Sequence, residues 1–314
     1  MTPAPAGRPP VLCYHRVGGS LELGVTRVRR SVFHRQMTAL AKGGWRTLTL
    51  AEFAHRLEPN GPSVPGRGRG PRSFLLSFDD GYASLARDAY PILADLGFTA
   101  VTFLVTDFVG RDNAWDVRYT WHPLRHIEWD AITHWQSRGF EFASHSASHA
   151  RLTWLTDSER AAELERSRET LVRRLGAAAG RAVAYPFGAR DARVEAAART
   201  AGYELGFGGV RGNGSLLNLS RVPVYAWDAG DVPLGLRNDA LGSVGRLVAH
   251  VANCCAVGTS VMKGVRYRVS GIGCQVSGIN ARHQTPDTAV REGSPSPPLL
   301  PWRDIPCRRR SSHP

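Results

Sequence analysis

The tightest constraint on this chain is the apolar run at residues 73–78, Ser-Phe-Leu-Leu-Ser-Phe, which stops abruptly at Asp79-Asp80-Gly81. A continuous apolar run suits a strand covered on both faces, as in parallel sheets. Strand-like pieces recur at 11–14, 45–50, 99–105, 140–143, 183–185, 203–207 and 222–226. Helical patterns fall between them at 31–42, which Ser31 can cap, and at 86–96, 129–138 and 192–200. A longer helix runs to about 175 from the capping sequence Thr156-Asp157-Ser158-Glu159. This alternation predicts a parallel α/β architecture, wound or barrel-shaped. In such folds reactive residues gather just past the carboxyl ends of strands. Asp79-Asp80, His145 and Pro186-Phe187 each follow an apolar strand immediately.

With 314 residues, 42% of them hydrophobic, the chain can bury a sizeable core, which excludes a wholly disordered protein. No stretch approaches the 18 or so apolar residues of a membrane helix. The first residues, MTPAPAGRPP, lack the layout of a secretory signal. As written the chain reads as cytoplasmic; a cell-envelope or extracellular place would need a different start. The five cysteines include no CxxC pair, so neither a zinc ribbon nor a disulfide framework is expected. Net charge is +13, which invites a nucleic-acid reading, but +6 of it lies in residues 250–314, and no nucleic-acid partner is expected. Beyond about residue 235 the periodicity fades into Pro-, Ser- and Arg-rich sequence, so 236–314 reads as an irregular tail, partly disordered or truncated.

Two adjacent aspartates after a strand present carboxylates in different directions. One can bind a cation while its neighbour takes a proton; the same Asp-Asp-Gly also suits a tight turn with Gly81 at positive φ. His145 and His149 have a spacing that lets two imidazoles converge on one metal, on a helical turn or a tight loop, although two exposed loop histidines would read the same. Together they make a two-nitrogen, one-oxygen set, for which metal-assisted hydrolysis is the natural reaction class.

Phe78-Asp79-Asp80-Gly81, Ser144-His145-(x3)-His149 and Tyr185-Pro186-Phe187-Gly188, in this order, resemble the polysaccharide deacetylases with a NodB-homology domain, carbohydrate esterase family 4. The opening Tyr14-His15-Arg16-Val17, the helix to 175 and Arg221-Val222-Pro223-Val224 are similar to its bacterial members. The resemblance implies an α/β fold, a distorted, incomplete (β/α) barrel over residues 8–235. It also implies one divalent metal ion, zinc first, with cobalt or nickel as alternatives. By correspondence Asp79 is the general base, and Asp80, His145 and His149 are the metal ligands. The backbone N–H of Phe187 holds the oxyanion, and Tyr185 and Pro186 line the groove. The substrate would be an acetylated carbohydrate polymer or glycan, with N-acetyl groups preferred and O-acetyl groups next.

The sequence also departs from that pattern. Many members carry an arginine two residues before the motif's proline, buttressing the base; here that residue is Ala184, and nearby Arg181 reads as a surface residue. The family's late, proton-donating histidine has only a loose candidate, His250. His15 either faces the site, as a substrate-binding residue, or closes the barrel mouth. Trp227 and Asp228 are candidates for a sugar platform and a hydrogen-bond acceptor, the plainer reading of Trp227 being core. These departures leave a non-catalytic glycan-binding relative as the alternative.

Overall fold

The computed structural model describes residues 8–19, 25–58, 72–114 and 124–237. The first half of the chain runs β1 (Val11–Tyr14), β2 (Arg16–Val17), β3 (Arg27–Val28), α1 (Arg30–Lys42), β4 (Trp45–Thr47), α2 (Leu50–His55) and β5 (Arg72–Phe78). Then come α3 (Ser84–Asp88), α4 (Tyr90–Asp95), β6 (Val101–Leu104), α5 (Trp129–Gln136) and β7 (Glu141–Ser144). The remainder is α6 (Asp157–Leu175), β8 (Ala182–Ala184), α7 (Ala192–Thr200), β9 (Leu205–Phe207) and β10 (Val222–Pro223).

The main sheet is parallel throughout, in the order β10-β1-β5-β6-β7-β8-β9, with β4 added to β5. It curls into a half-barrel, as the incomplete (β/α) barrel requires. No strand ladder joins β9 to β10 among the described residues. Instead Leu219 bridges Phe207 of β9, and three residues later Val222 pairs with Leu12 of β1. A single irregular crossing of the chain therefore spans the seam, and Arg221 lies in it.

Side-chain parity explains the apolar runs. Val11, Leu75, Val101, Phe103, Ala143, Ala182, Ala184, Leu205 and Phe207 form one buried cluster, joined by Leu50 and Phe53 of α2. The alternate residues Leu12, Tyr14, Phe74, Leu76, Phe78 and Phe142 belong to a second cluster, with Phe33 and Met37 of α1 and Tyr90 of α4. Both faces of β5 are buried, and each large apolar side chain so covered contributes roughly 1.5–3 kcal/mol. The parity of Val11, Leu75 and Ala143, carried past the ends of β1, β5 and β7, reaches His15, Asp79 and His145.

Several boundaries differ from the pattern read along the sequence. The strand expected over 45–50 ends at Thr47, because Thr49 and Glu52 make a capping box that starts α2. The helix expected over 86–96 divides at Ala89, with Pro91 in the first turn of α4. Leu152–Trp154 form a separate 3-10 turn before α6, which Thr156 and Glu159 cap reciprocally. The strand expected over 222–226 keeps two residues only.

Candidate metal and hydrolytic site

Asp79 follows the last residue of β5, and its amide still bonds Tyr14 O at 2.9 Å. Asp80 then takes a left-handed backbone, φ 70°, and Gly81 another, φ 71°. A Cβ on Gly81 would meet Leu104 Cδ2 at 2.6 Å, so the turn needs glycine there for space as well as for conformation. This double bend corrects the expectation that strand alternation sends the two carboxylates apart. Asp79 Oδ2 lies 3.9 Å, and Asp80 Oδ1 3.5 Å, from the same atom, His145 Nε2. Asp-Asp-Gly thus makes the expected turn, and that turn brings both carboxylates toward one imidazole nitrogen.

The histidine pair lies on a tight loop. Ser146 and His149 have φ of 63° and 62°, and the two imidazole centroids are 4.9 Å apart. Asp80 Oδ1 is 3.4 Å from His149 Nε2. Glu163 of α6 holds the loop in this shape, accepting hydrogen bonds from the amides of Ala147 (3.1 Å) and Ser148 (2.9 Å) and from Ser148 Oγ (2.8 Å). The Ser144 and Ser167 hydroxyls meet at 2.8 Å beneath it, and the Ser146 amide donates to Ser144 Oγ. His145 Nδ1 donates to Ala184 O at 2.7 Å, leaving the Nε2 lone pair toward Asp80. Burial lowers the His145 pKa to about 4, so the ring is neutral at pH 7, as a ligand must be. His126 Nδ1 donates to the carbonyl of Asp80 at 2.8 Å and braces the bend from behind.

The donor set fits a small divalent cation. One ligand atom each of Asp80, His145 and His149 lies within 4.8 Å of the others, and all three residues are buried. Two imidazole nitrogens and a carboxylate oxygen are ligands for zinc-like ions, and three protein ligands leave positions for water and substrate.

Arg221 supplies what Ala184 lacks. Its Nη1 and Nη2 donate to Asp79 Oδ1 and Oδ2 at 2.6 and 2.8 Å, and its Nε donates to Gly208 O at 3.1 Å. Both partners are 4% exposed. Burial alone would raise the Asp79 pKa, but the guanidinium outweighs it and holds the carboxyl below the usual carboxylate range. Arg181, by contrast, pairs at the surface with Glu204. The sequence carried Arg221 in an Arg-Val-Pro-Val motif without a role, because a seam contact 142 residues from Asp79 leaves no local signal. Glu163 and His126 were missed for the same reason.

The other expected residues divide. His15 faces the site: a donor atom of His15, Cys13 and Asp79 each lies within 4.8 Å of the others. Phe187 has a left-handed backbone, φ 60°, and its ring centroid is 4.8 Å from that of His149. Pro186 is buried at the start of that turn. Tyr185 does not line a groove with its side chain. It is fully buried with Leu152, Leu164 and Val194, and its hydroxyl donates to Leu217 O at 2.9 Å. Its place after β8, one residue out of register with the inward Ala184, turns it into the apolar layer between sheet and helices. Trp227 is 43% exposed and stacks on Tyr225, so it is not a core residue. Asp228 is buried and accepts from the Leu234 amide at 2.9 Å, which spends one carboxylate oxygen on a turn. His250 lies outside the described residues.

Known proteins share this arrangement's fold. The polysaccharide deacetylase family model matches residues 66–206. YxkH of Bacillus subtilis, named a candidate polysaccharide deacetylase, is 27% identical over 198 residues, covering 63% of each chain. The match thus spans less than two thirds of that relative's length. The Streptococcus pyogenes deacetylase PplD, solved in complex with acetate, superposes with a TM-score of 0.60 at 21% identity, over 69% of this chain and 92% of its own. IcaB from Ammonifex degensii gives 0.56 at 23% identity, over 76% and 96%. The aspartate pair, the histidine pair and the proline turn, assembled at one end of a half-barrel, all lie within residues 66–206, the stretch that matches the polysaccharide deacetylase family model.

Proposed function

We propose that this chain hydrolyses acetyl groups from a carbohydrate polymer or oligomer, N-acetyl groups first and O-acetyl esters second. The supporting observation is the convergence of Asp80, His145 and His149 beside an aspartate whose charge is locked in by Arg221. A divalent ion held by that trio, zinc or else cobalt or nickel, supplies Lewis acidity and acidified water, which lets so weak a base as Asp79 serve near neutral pH.

The chain's own residues take the remaining roles. Asp79 accepts the proton of the attacking water, its carboxylate aimed by two charge-assisted hydrogen bonds from Arg221. The Phe187 amide, on its left-handed turn, is the donor for the oxyanion. His15 returns a proton to the leaving nitrogen, a role its position beside Asp79 supports. The positions of Arg221 and His15 support this catalytic reading over the glycan-binding one.

Acetate release from N-acetylglucosamine oligomers tests the reading, after chelation and after return of zinc, cobalt or nickel, against Asp79→Asn. Metal-restored release well above the Asp79→Asn level is expected. Oligomer binding with no release above that level would instead favour the glycan-binding alternative.

A further inference from the structure

The trio and Asp79 are buried, so the units of a sugar chain flanking the reacting group would lie on the surface beside them. One surface element is built for that without serving the core. Trp154 is 53% exposed, one of four large exposed hydrophobic residues among those described. It stands on the 3-10 turn Leu152–Trp154, directly after the histidine loop. That turn is anchored firmly: Leu152 is fully buried, and the buried Arg160 donates to Leu152 O at 3.0 Å and to Leu155 O at 2.6 Å. The indole is thus held on a fixed support while its surface faces water.

A row of flat groups joins this indole to the site. The Arg151 guanidinium carbon lies 5.0 Å from the Trp154 ring centroid and 5.9 Å from that of Phe187, and Phe187 in turn packs on His149 at 4.8 Å. The guanidinium bridges two aromatic faces by cation–π contact. An exposed indole held in place by a bridging cation matches the chemistry of a pyranose ring, whose C–H face stacks on an aromatic plane.

We infer that Trp154, positioned by Arg151, is a stacking subsite for a pyranose unit neighbouring the acetylated one, so that the chain prefers oligomers over single acetylated sugars. The inference rests on the deacetylase reading and names the substrate class within it. Arg151 acts here as a positioning residue and Trp154 as the contact.

The test compares kcat/KM for N-acetylglucosamine hexamer and monomer in wild type, Trp154→Ala, Trp154→Phe and Arg151→Ala, with circular dichroism to check folding. Wild type should favour the hexamer. Trp154→Ala should shrink the hexamer-to-monomer ratio about tenfold, Arg151→Ala should shrink it less, and Trp154→Phe should keep most of it. The KM for hexamer should carry the change, with kcat for hexamer nearly constant. An unchanged ratio, or equal loss on both substrates, overturns the subsite. Hexamer binding by calorimetry in an Asp79→Asn background, with and without Trp154→Ala, reads the subsite independently of turnover. A tenfold weakening there supports it and equal affinities overturn it. Absence of acetate release from every wild-type assay would instead count against the deacetylase reading.

Discussion

Two carboxylates sit at opposite ends of the same sheet and have been driven in opposite directions. Asp79, past the carboxyl end of β5, is buried against Arg221 and held below the usual carboxylate range. Glu141, at the amino end of β7, is pushed up to about 7, chiefly by burial. It accepts the Leu50 amide at 2.7 Å, with the nearby Glu52 charge adding to the rise and Arg181 opposing it only partly. Burial, complete at Asp79 and partial at Glu141, acts on both in the same direction; what reverses it at Asp79 is a guanidinium delivered bidentately. Without it, burial makes a carboxyl a neutral structural group. With it, the carboxyl stays an anion fixed in direction, which is what a base aimed at one water molecule requires.

Neutralising the upper carboxylate is the most damaging way to probe this contrast. Asp79→Asn keeps the shape and removes the proton acceptor, and acetate release should fall about 10²–10⁴-fold. The same change strips Arg221 of its counter-charge, so a drop in stability should accompany the lost turnover. The Asp79 contribution is fully present above the ordinary carboxylate pKa and is lost as pH falls through its depressed folded value. Urea melts of wild type from pH 5 downward should therefore show an acid-side decline that Asp79→Asn lacks. Equal decline in both would sever the pair from the protein's acid stability.

Removing the partner instead of the base comes next. Arg221→Met leaves the Asp79 carboxylate buried and unpaired, at a cost of roughly 3–5 kcal/mol, and raises its pKa toward the behaviour of Glu141. Turnover should fall with a shifted acid limb in the pH profile, and Arg221→Lys should restore only part, since one ammonium cannot match the fork. A stable, fully active Arg221→Met would show that the seam residue plays no part in aiming the base.

At the lower end the sign reverses. The folded state keeps Glu141 protonated up to about pH 7, against an ordinary value of 4.5. Its contribution is complete below that ordinary value and is lost as pH rises through about 7. Glu141→Gln retains an oxygen for the Leu50 amide and removes the titration. It should be more stable than wild type by roughly 2 kcal/mol at pH 8 and close to it at pH 5, by denaturant melts. Parallel stability curves for the two proteins would mean that Glu141 is ionised without penalty.

The sequence was informative wherever a feature repeats along the chain, and silent wherever two distant segments meet. The 73–78 run announced a doubly covered strand, and the inward parity that buries Leu75 continues unbroken to Asp79. The grouping of Asp80, His145 and His149 was legible because motif order and strand ends agree. What the trio stands on was not: Glu163 reaches back 16 residues to the Ala147 amide, and His126 reaches 46 to Asp80. The Asp80 bend was hidden for another reason, since a left-handed non-glycine residue is a product of its surroundings rather than of its type. Tyr185 shows the converse failure. Next to a proline turn it resembles a groove residue, yet one step in strand register sends its ring to the core.

The smallest expected effect completes the contrast, because it concerns the arginine nearer in sequence to the motif whose buttress is missing. Arg181 and Glu204 make a salt bridge whose side chains are 45% and 54% exposed, whereas those of Arg221 and Asp79 are 4% and 5% exposed. Water already solvates the exposed pair well, so Arg181→Ala should cost at most about 1 kcal/mol. Acetate release should be unaffected, since β8 places Arg181 at the end of the sheet away from Asp79. Its one discernible trace should be on Glu141, whose pKa Arg181 lowers. Without that charge Glu141 should titrate somewhat higher, shifting the alkaline loss of stability upward in pH. Were Arg181→Ala to depress turnover as Arg221→Met does, proximity along the chain would outrank burial in choosing the buttress, and the assignment of that role to the seam would have to be withdrawn.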